Sequence, residues 1–133
     1  MRNWLMTLLM ACTCGNALAA WERFDAGENG DTVYLDPASM RRHGEKVKVY
    51  VLLDTKKAGT AGEFQYRSIK SELELDCANS LVRVAFVSLY TDRMASGVVV
   101  RFGSLDREPE AIEDGSPSAS LRARVCAKSP LSP

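Results

Sequence analysis

Six strand-like segments follow one another along this 133-residue chain, and no helical repeat separates them. In the clearest of them, Lys46–Asp54, valines and a leucine recur at every second position, which gives a strand one apolar side. Parallel strands need long crossover connections, whereas antiparallel strands can be joined by short turns. The pattern therefore predicts one domain built on a six-stranded antiparallel sheet, with strands at Trp21–Phe24, Thr32–Leu35, Lys46–Asp54, Glu63–Cys77, Ser80–Tyr90 and Val98–Phe102.

Some of these segments and their connections are irregular. The apolar positions of Glu63–Cys77 change phase, which predicts a bulge or bend near Arg67–Ser68. Ser80–Tyr90 is apolar on both sides and is typical of a central strand that is covered on both faces, by strong curvature or by a second copy. The polar segment Thr55–Gly62 is predicted to be a loop. A helical turn is predicted over residues 36–43, where an aspartate precedes a proline.

One helix is predicted near the C-terminus. Ser116 is a residue type that caps helices, and Pro117 suits the first helical position. Leu121 and Val125 are four residues apart, so they share one face of a helix that runs to Cys126. About three turns of helix are marginal alone, so this helix needs the sheet for its stability.

The first 19 residues have the order of a secretory signal peptide. Arg2 precedes a short apolar run, and Ala17-Leu18-Ala19 provides a small-residue cleavage site. Cleavage there would leave residues 20–133 as the mature domain and would remove Cys12 and Cys14. Two alternatives are lipidation at Cys12 and a metal site at the Cys-x-Cys pair. A tetrahedral metal site needs further ligands that the neighbouring sequence lacks, so no metal site is expected.

The mature chain would retain two cysteines, Cys77 and Cys126. In an exported protein such a pair is most simply one disulfide, here tethering the helix to the sheet. The alternative is a reactive thiol, for which the single histidine, His43, would have to be the base.

Composition and motifs exclude several function classes. Lys plus Arg and Asp plus Glu are both 17, so no net field attracts nucleic acid. The apolar runs are too short for a membrane span. No nucleophile motif, phosphate loop or metal cluster is recognisable, so we expect a protein without catalytic residues.

The mature chain resembles the surface-adhesin protein E-like domain of bacterial envelope proteins. The resemblance rests on the order and spacing of short pieces, namely Trp21, Val33-Tyr34-Leu35-Asp36, Met40-Arg41-Arg42-x-Gly44, Val47-x-Val49-Tyr50-Val51-Leu52, Tyr66-Arg67-Ser68-Ile69-Lys70, Asp76-Cys77 and Val125-Cys126. It implies an α+β fold, in which a six-stranded antiparallel curved sheet carries a C-terminal helix tethered to its concave face by a disulfide.

The resemblance also implies a function. The founding member of the family is an adhesin of the outer membrane that binds host matrix proteins and haem and that dimerises. A non-catalytic binding protein of a Gram-negative bacterium is therefore expected, located on the cell surface or in the periplasm. Its expected ligand is a protein, and no cofactor is expected beyond the haem that the resemblance implies. A homodimer is a further expectation. The alternative is a periplasmic accessory domain that binds an envelope partner or itself.

Four cations are candidates for a binding rim, and they are Lys56, Lys57, Arg67 and Lys70. For Arg67 the favoured interpretation is structural, namely an ion pair with a carboxylate such as Asp36 at the predicted bend. Met40 and His43 are three apart and could be offered as haem axial ligands, although a solvated turn histidine is the favoured interpretation.

The mature N-terminus tests the targeting hypothesis. Expression of the full chain in a Gram-negative host, followed by mass spectrometry of the exported protein, should give a chain that starts at Ala20 and carries one intramolecular disulfide. A mass that corresponds to a diacylglyceryl group on Cys12 would contradict cleavage after Ala19.

Overall fold

The computed structural model describes residues 20–127; the predicted signal segment, with Cys12 and Cys14, and residues 128–133 lie outside the described residues. The described chain forms eight strands and one α-helix, which are β1 (Glu22–Ala26), β2 (Thr32–Leu35), β3 (Arg41–His43), β4 (Lys46–Ala61), β5 (Phe64–Asp76), β6 (Leu81–Tyr90), β7 (Val99–Ser104), β8 (Glu110–Ala111) and α1 (Pro117–Val125). The predicted class, an antiparallel sheet with a C-terminal helix, is confirmed, but the sheet has eight strands instead of six.

All strands belong to one antiparallel sheet, whose main order is β1-β2-β4-β5-β6-β7. The two strands that were not predicted are short: β3 pairs with the start of β4, and β8 pairs with the start of β6. The predicted helical turn is a 3-10 helix of only three residues, Pro37–Ser39, with Asp36 as its cap. Gly44 has φ of 59°, which lets the chain reverse directly after His43. Because of this reversal, residues 41–43 lie beside the start of β4 and pair with it as a strand.

The predicted loop Thr55–Gly62 is wrong, because β4 continues through this segment to Ala61. Its far part pairs with the start of β5, and Gly62 forms the turn with φ of 61°. The side chains here are mostly exposed, so their polarity reflects a hairpin arm in solvent and not the absence of a strand. Gly59 lies against Tyr66 in this arm, and a β-carbon there would lie 2.3 Å from the Tyr66 ring, so a larger residue would displace that ring.

Register shifts occur in four strand pairs of the sheet, and two of them lie on either side of β5. In the β4–β5 pair the register breaks between Asp54 and Gly59, and only Arg67 of β5 faces the intervening residues. The predicted irregularity near Arg67–Ser68 therefore exists, but the extra residues belong to the neighbouring strand. The second is a bulge at Ala85, because consecutive residues of β5 pair with Val84 and Phe86.

The core lies between α1 and one face of the sheet, which we call the helix face. Its buried members are Leu35, Val47, Val49, Val51, Leu75, Leu121 and Val125. The alternating residues of β4 thus face the core, as their pattern predicted, and pair across the sheet with Leu73 and Leu75 of β5. Since α1 has only two buried side chains, the sheet supplies most of the core.

The helix begins where the sequence predicts and is tethered to the sheet by several groups. The Ser116 hydroxyl accepts a hydrogen bond of 3.2 Å from the Ala119 amide. The Cys77–Cys126 disulfide is formed, with an S–S distance of 2.06 Å. The guanidinium of Arg42 donates to the Val125 carbonyl at 2.8 Å, and that of Arg122 donates to the carbonyl of Cys77 at 3.0 Å. The helix is therefore bonded to the sheet at its C-terminal end.

The disulfide should account for a large share of the stability. The cysteines are separated by 49 residues, and chain entropy assigns a loop of that length about 4 kcal/mol. We expect the Cys77→Ala/Cys126→Ala double variant to lose about this free energy of unfolding in a urea titration. A reducing agent should lower the stability of the wild type and leave the double variant unchanged. Equal stability of oxidised and reduced wild type would contradict the prediction.

Candidate functional site

The face of the sheet opposite the helix, which we call the open face, presents polar and aromatic side chains. Three cross-strand rows follow from the register: Asp54, Ser68, Tyr90 and Val99; Leu52, Lys70, Ser88 and Phe102; Tyr50, Glu72, Phe86 and Ser104. Leu52 of the second row is fully buried yet lies outside the helix-face core, so this face is itself partly covered.

An aromatic and apolar cluster occupies the end of the open face at β6 and β7; we call Phe86, Tyr90, Val99 and Phe102 the open-face patch. Phe102 is 71 % exposed and Val99 is 40 % exposed. The rings of Phe86 and Phe102 lie 6.4 Å apart at an interplanar angle of 34°, within the range in which aromatic pairs attract each other. The bulge at Ala85 creates this patch, since it places Phe86 on the open face while Val84 faces the helix.

The β6–β7 connection is residues 91–98, and it folds over the open face; we call residues 91–97 of it the anchored loop. It is held by Asp54 and Ser68, which are adjacent across β4 and β5 and are 2 % and 0 % exposed. The Asp54 carboxylate accepts bonds of 3.0 and 2.7 Å from Arg93 and one of 3.0 Å from the Met94 amide. The hydrogen bonds to the carboxylate also raise the pKa of Arg93, which stays charged.

Ser68 completes the attachment of the anchored loop. Its hydroxyl donates to the Asp92 carbonyl at 2.6 Å and accepts from the Ala95 amide at 2.9 Å. Met94 and Ala95 adopt φ of 57° and 54°, a left-handed conformation that costs non-glycine residues about 1 kcal/mol or more each. The charged and neutral hydrogen bonds to the sheet offset this strain and fix the loop in one conformation.

A second polar cluster lies on the same face. The ammonium of Lys70 is 4.5 Å from the centre of the Tyr50 ring, within the range of a cation–π interaction. Burial, together with the neighbouring Glu72 carboxylate, raises the pKa of the Tyr50 phenol, so the phenol is neutral at physiological pH. The Tyr50 phenol and the Lys70 ammonium therefore form a polar contact surface, and the neutral phenol does not act as a nucleophile.

The predicted binding rim is divided by the structure. Arg67 and Lys56 come together, since the guanidinium of Arg67 donates to the Lys56 carbonyl at 3.3 Å. Lys57 is exposed in the same hairpin arm, whereas Lys70 lies on the open face over Tyr50. Arg67 does not pair with Asp36, because that carboxylate caps the 3-10 helix through the Ala38 amide at 3.1 Å.

On the helix face an apolar groove of about 410 Å³ remains beside the N-terminal half of α1. Its described lining includes Phe24, Val33, Leu53, Leu73, Pro117 and Leu121, with Asn29 and Asp31 as polar members. Haem iron in proteins is held by histidine, cysteine, methionine or tyrosine, and the described lining of the groove has none of these. The groove therefore does not fit an axially ligated haem.

Met40 and His43 do not form an axial pair either. His43 is an exposed residue of β3, and Met40 directly precedes that strand. Residues three apart in an extended chain point to opposite sides and lie about 10 Å apart along it, too far to share one iron. His43 is solvated, as the favoured interpretation expected, but it lies in a strand and not in a helical turn.

Comparison with known proteins identifies the family. The family model for surface-adhesin protein E matches residues 21–127. The chain belongs to the surface-adhesin protein E family. This confirms the family that the sequence pieces resembled, and it places the chain in a class of adhesins, which are binding proteins and not enzymes. No curated protein matches the sequence.

Solved structures of the surface-adhesin protein E family have the same fold. The selenomethionine form of Haemophilus influenzae protein E superimposes with a TM-score of 0.61 at 12 % identity, covering 84 % of this chain and 88 % of that one. Protein E from non-typeable Haemophilus influenzae gives a TM-score of 0.57 at 14 % identity, covering 78 % and 74 %. At this identity the likeness extends to the fold alone.

The described residues contain neither a membrane-spanning helix nor a cluster of metal ligands. Between Ala20 and Ala127 no helix is long and apolar enough to cross a bilayer. Within the same residues, no three histidine, cysteine or acidic side chains converge as metal ligands would. We take the open-face patch and the anchored loop as the candidate site of this family member.

Removing the Asp54 carboxylate should destabilise the protein. In an Asp54→Ala variant the Met94 amide loses its acceptor and Arg93 loses its partner, so we expect a loss of about 2 kcal/mol in the free energy of unfolding, measured in urea. The control is Asp106→Ala, which removes an exposed aspartate beyond β7 and should change stability by less than about 0.5 kcal/mol. Equal stabilities of the two variants would contradict the role of Asp54.

Proposed function

We propose that this protein is exported to the surface of a Gram-negative bacterium and binds a host protein through the open-face patch. Membership of a surface-adhesin family supports surface display and a protein ligand. The observation that carries the choice of surface is the exposure of Phe102, at 71 %, beside Phe86 on a face that α1 does not cover.

The composition of the open face supports a protein ligand. Phenylalanine, tyrosine, methionine and arginine are enriched at protein interfaces. The open face carries Phe86, Phe102 and Tyr50, and the anchored loop adds Arg93 and the exposed Met94 on the same face. An exposed phenylalanine is costly in water, and burial against a partner recovers roughly 1.5–3 kcal/mol for such a side chain.

The fixed conformation of the anchored loop also favours binding. A loop that is ordered before binding loses little conformational entropy when a partner docks. Asp54 and Ser68 hold the loop from within the sheet, so Met94 and Arg93 are presented in one arrangement. The patch and the loop together form a pre-organised surface at one end of the molecule.

Haem is not part of this proposal. Neither the groove nor the Met40 and His43 pair fits an axially ligated haem, and no step of recognition is assigned to it. The groove on the helix face is instead a second apolar surface, on the opposite side of the sheet from the patch.

Adherence of bacteria that display Phe102→Ser protein should fall at least about tenfold, measured as cells bound to surfaces coated with extracellular matrix proteins. The loss follows from removal of the most exposed aromatic ring of the patch. Met40→Ser is the matched control, because Met40 is 38 % exposed and lies outside the patch, before β3.

Surface display is tested in the same strains. External protease should remove an epitope tag from intact cells, and the Phe102→Ser and Met40→Ser proteins should be displayed at wild-type levels. Protection of the tag from external protease would place the protein in the periplasm and would contradict an adhesive function, while full adherence of the Phe102→Ser strain would contradict the choice of surface.

A further inference from the structure

The two edges of the sheet are built differently. At one edge, β1 carries Glu22, Arg23 and Asp25, has a register shift between Arg23 and Asp25, and is joined to α1 by the ion pair of Glu22 with Arg124. Charges, irregular register and a covering element are the means by which proteins block an edge strand. The other edge, β7, also has a register shift, next to Val99, but from Arg101 to Ser104 it pairs regularly with β6. In its sequence, VVRFGS, Arg101 is the one ionised residue, and no helix covers it within the described chain.

The backbone of β7 faces outward at known positions. The Leu105 amide donates to the Ala85 carbonyl at 3.0 Å, so Leu105 points its backbone groups toward β6. Alternation along an antiparallel strand then directs Gly103 and Arg101 toward β6 and turns Phe102 and Ser104 away from it. The main order of strands in the described sheet ends at β7, so the N–H and C=O groups of Phe102 and Ser104 lie on its free edge.

We propose that β7 is a strand-addition site, which pairs with an extended segment of another protein. This deepens the proposed function, on which it rests, by naming the kind of segment that is recognised. The outward N–H and C=O groups of Phe102 and Ser104 hydrogen-bond to the backbone of the added strand. Side chains that alternate along the added strand lie on the two faces of the sheet.

The side chains of β7 define the chemistry of the partner segment. Arg101 pairs with Leu89, which places its guanidinium on the helix face, and within residues 20–127 it takes part in no ion pair. The added residue opposite Arg101 is therefore acidic. The residue opposite Phe102 lies on the open face and is apolar, because it packs against an exposed ring. The partner segment thus alternates acidic with apolar residues.

A second copy of β7 fits this edge less well. Antiparallel pairing of two copies through Phe102 and Ser104 would place Leu105 opposite Arg101, so a second copy leaves this cation without a carboxylate opposite it. Glu63 lines the same cavity of about 320 Å³ as Arg101, at the end of the β4–β5 hairpin, yet it is not within ion-pair distance. A free carboxylate on the partner supplies the charge that Arg101 lacks.

The test compares the Ser104→Ala and Ser104→Pro variants. Both remove the hydroxyl, but only proline removes the outward N–H, and proline is tolerated on edge strands. The probe is a capped ten-residue peptide of alternating glutamate and valine, titrated by fluorescence anisotropy against each oxidised protein. The Ser104→Ala variant should bind this peptide with the affinity of the wild type, and the Ser104→Pro variant should bind it at least tenfold more weakly than the wild type. Each of the three proteins should bind a peptide with lysine in place of glutamate at least tenfold more weakly than it binds the glutamate peptide.

Circular dichroism and urea titration verify that both variants are folded. Equal binding by Ser104→Ala and Ser104→Pro, or by the glutamate and lysine peptides, would overturn the proposal. A concentration-dependent dimer that Ser104→Pro abolishes, without peptide binding, would also overturn it in favour of a second copy. The adherence assay separates the two proposals. If the wild-type protein binds the peptide but wild-type cells do not adhere, only the proposed adhesive function is contradicted. If cells that display the Ser104→Pro protein adhere as wild-type cells do, only strand addition is contradicted.

Discussion

The apolar face of the β4–β5 pair has to be covered, and the rest of the architecture depends on how one short helix covers it. Nine residues of helix are about 14 Å long, whereas the 16 residues of β4 extend over roughly 50 Å. The helix can therefore bury only the part of the pair around Val47, Val49 and Leu75. Beyond its N-terminal end the helix face remains as the groove, and the far arm of the hairpin carries polar side chains because nothing apolar packs on it.

Much of this arrangement is predictable from local sequence. The alternation in β4 and the Ser116 cap are each visible within a few neighbouring residues. The disulfide is predictable because the mature chain would retain only two cysteines. All three predictions are confirmed. Strands β3 and β8 have three and two residues, too few for any periodicity to indicate them. The polar composition of the arm that follows Asp54 predicts a loop, but the arm is a strand because backbone pairing with β5 needs no apolar side chains.

The candidate site was less accessible to sequence reasoning because its parts are distant along the chain. Asp54 and Arg93 are 39 residues apart, and nothing in either neighbourhood indicates that they meet. Their contact depends on the register of β4 with β5 and on the path of the anchored loop. The lysines and the arginine that are predicted to form a binding rim lie in two separate places in the structure. The proposed surface depends instead on aromatic residues of β6 and β7, of which Phe102 is exposed, and in sequence these residues resemble those of any buried strand.

The bulge at Ala85 has a consequence for how this fold can change in evolution. Upstream of it, Val82 and Val84 pair with the helix-face residues of β5, and downstream Phe86 has moved to the open face. Because side chains alternate with a period of two, deletion of one codon at this position would reverse the facing of every later residue of β6. Insertions and deletions are therefore tolerated poorly at residue 85 and better in the solvent-exposed hairpin arm. Divergence in length between family members should accumulate in that arm, while β6 keeps its length.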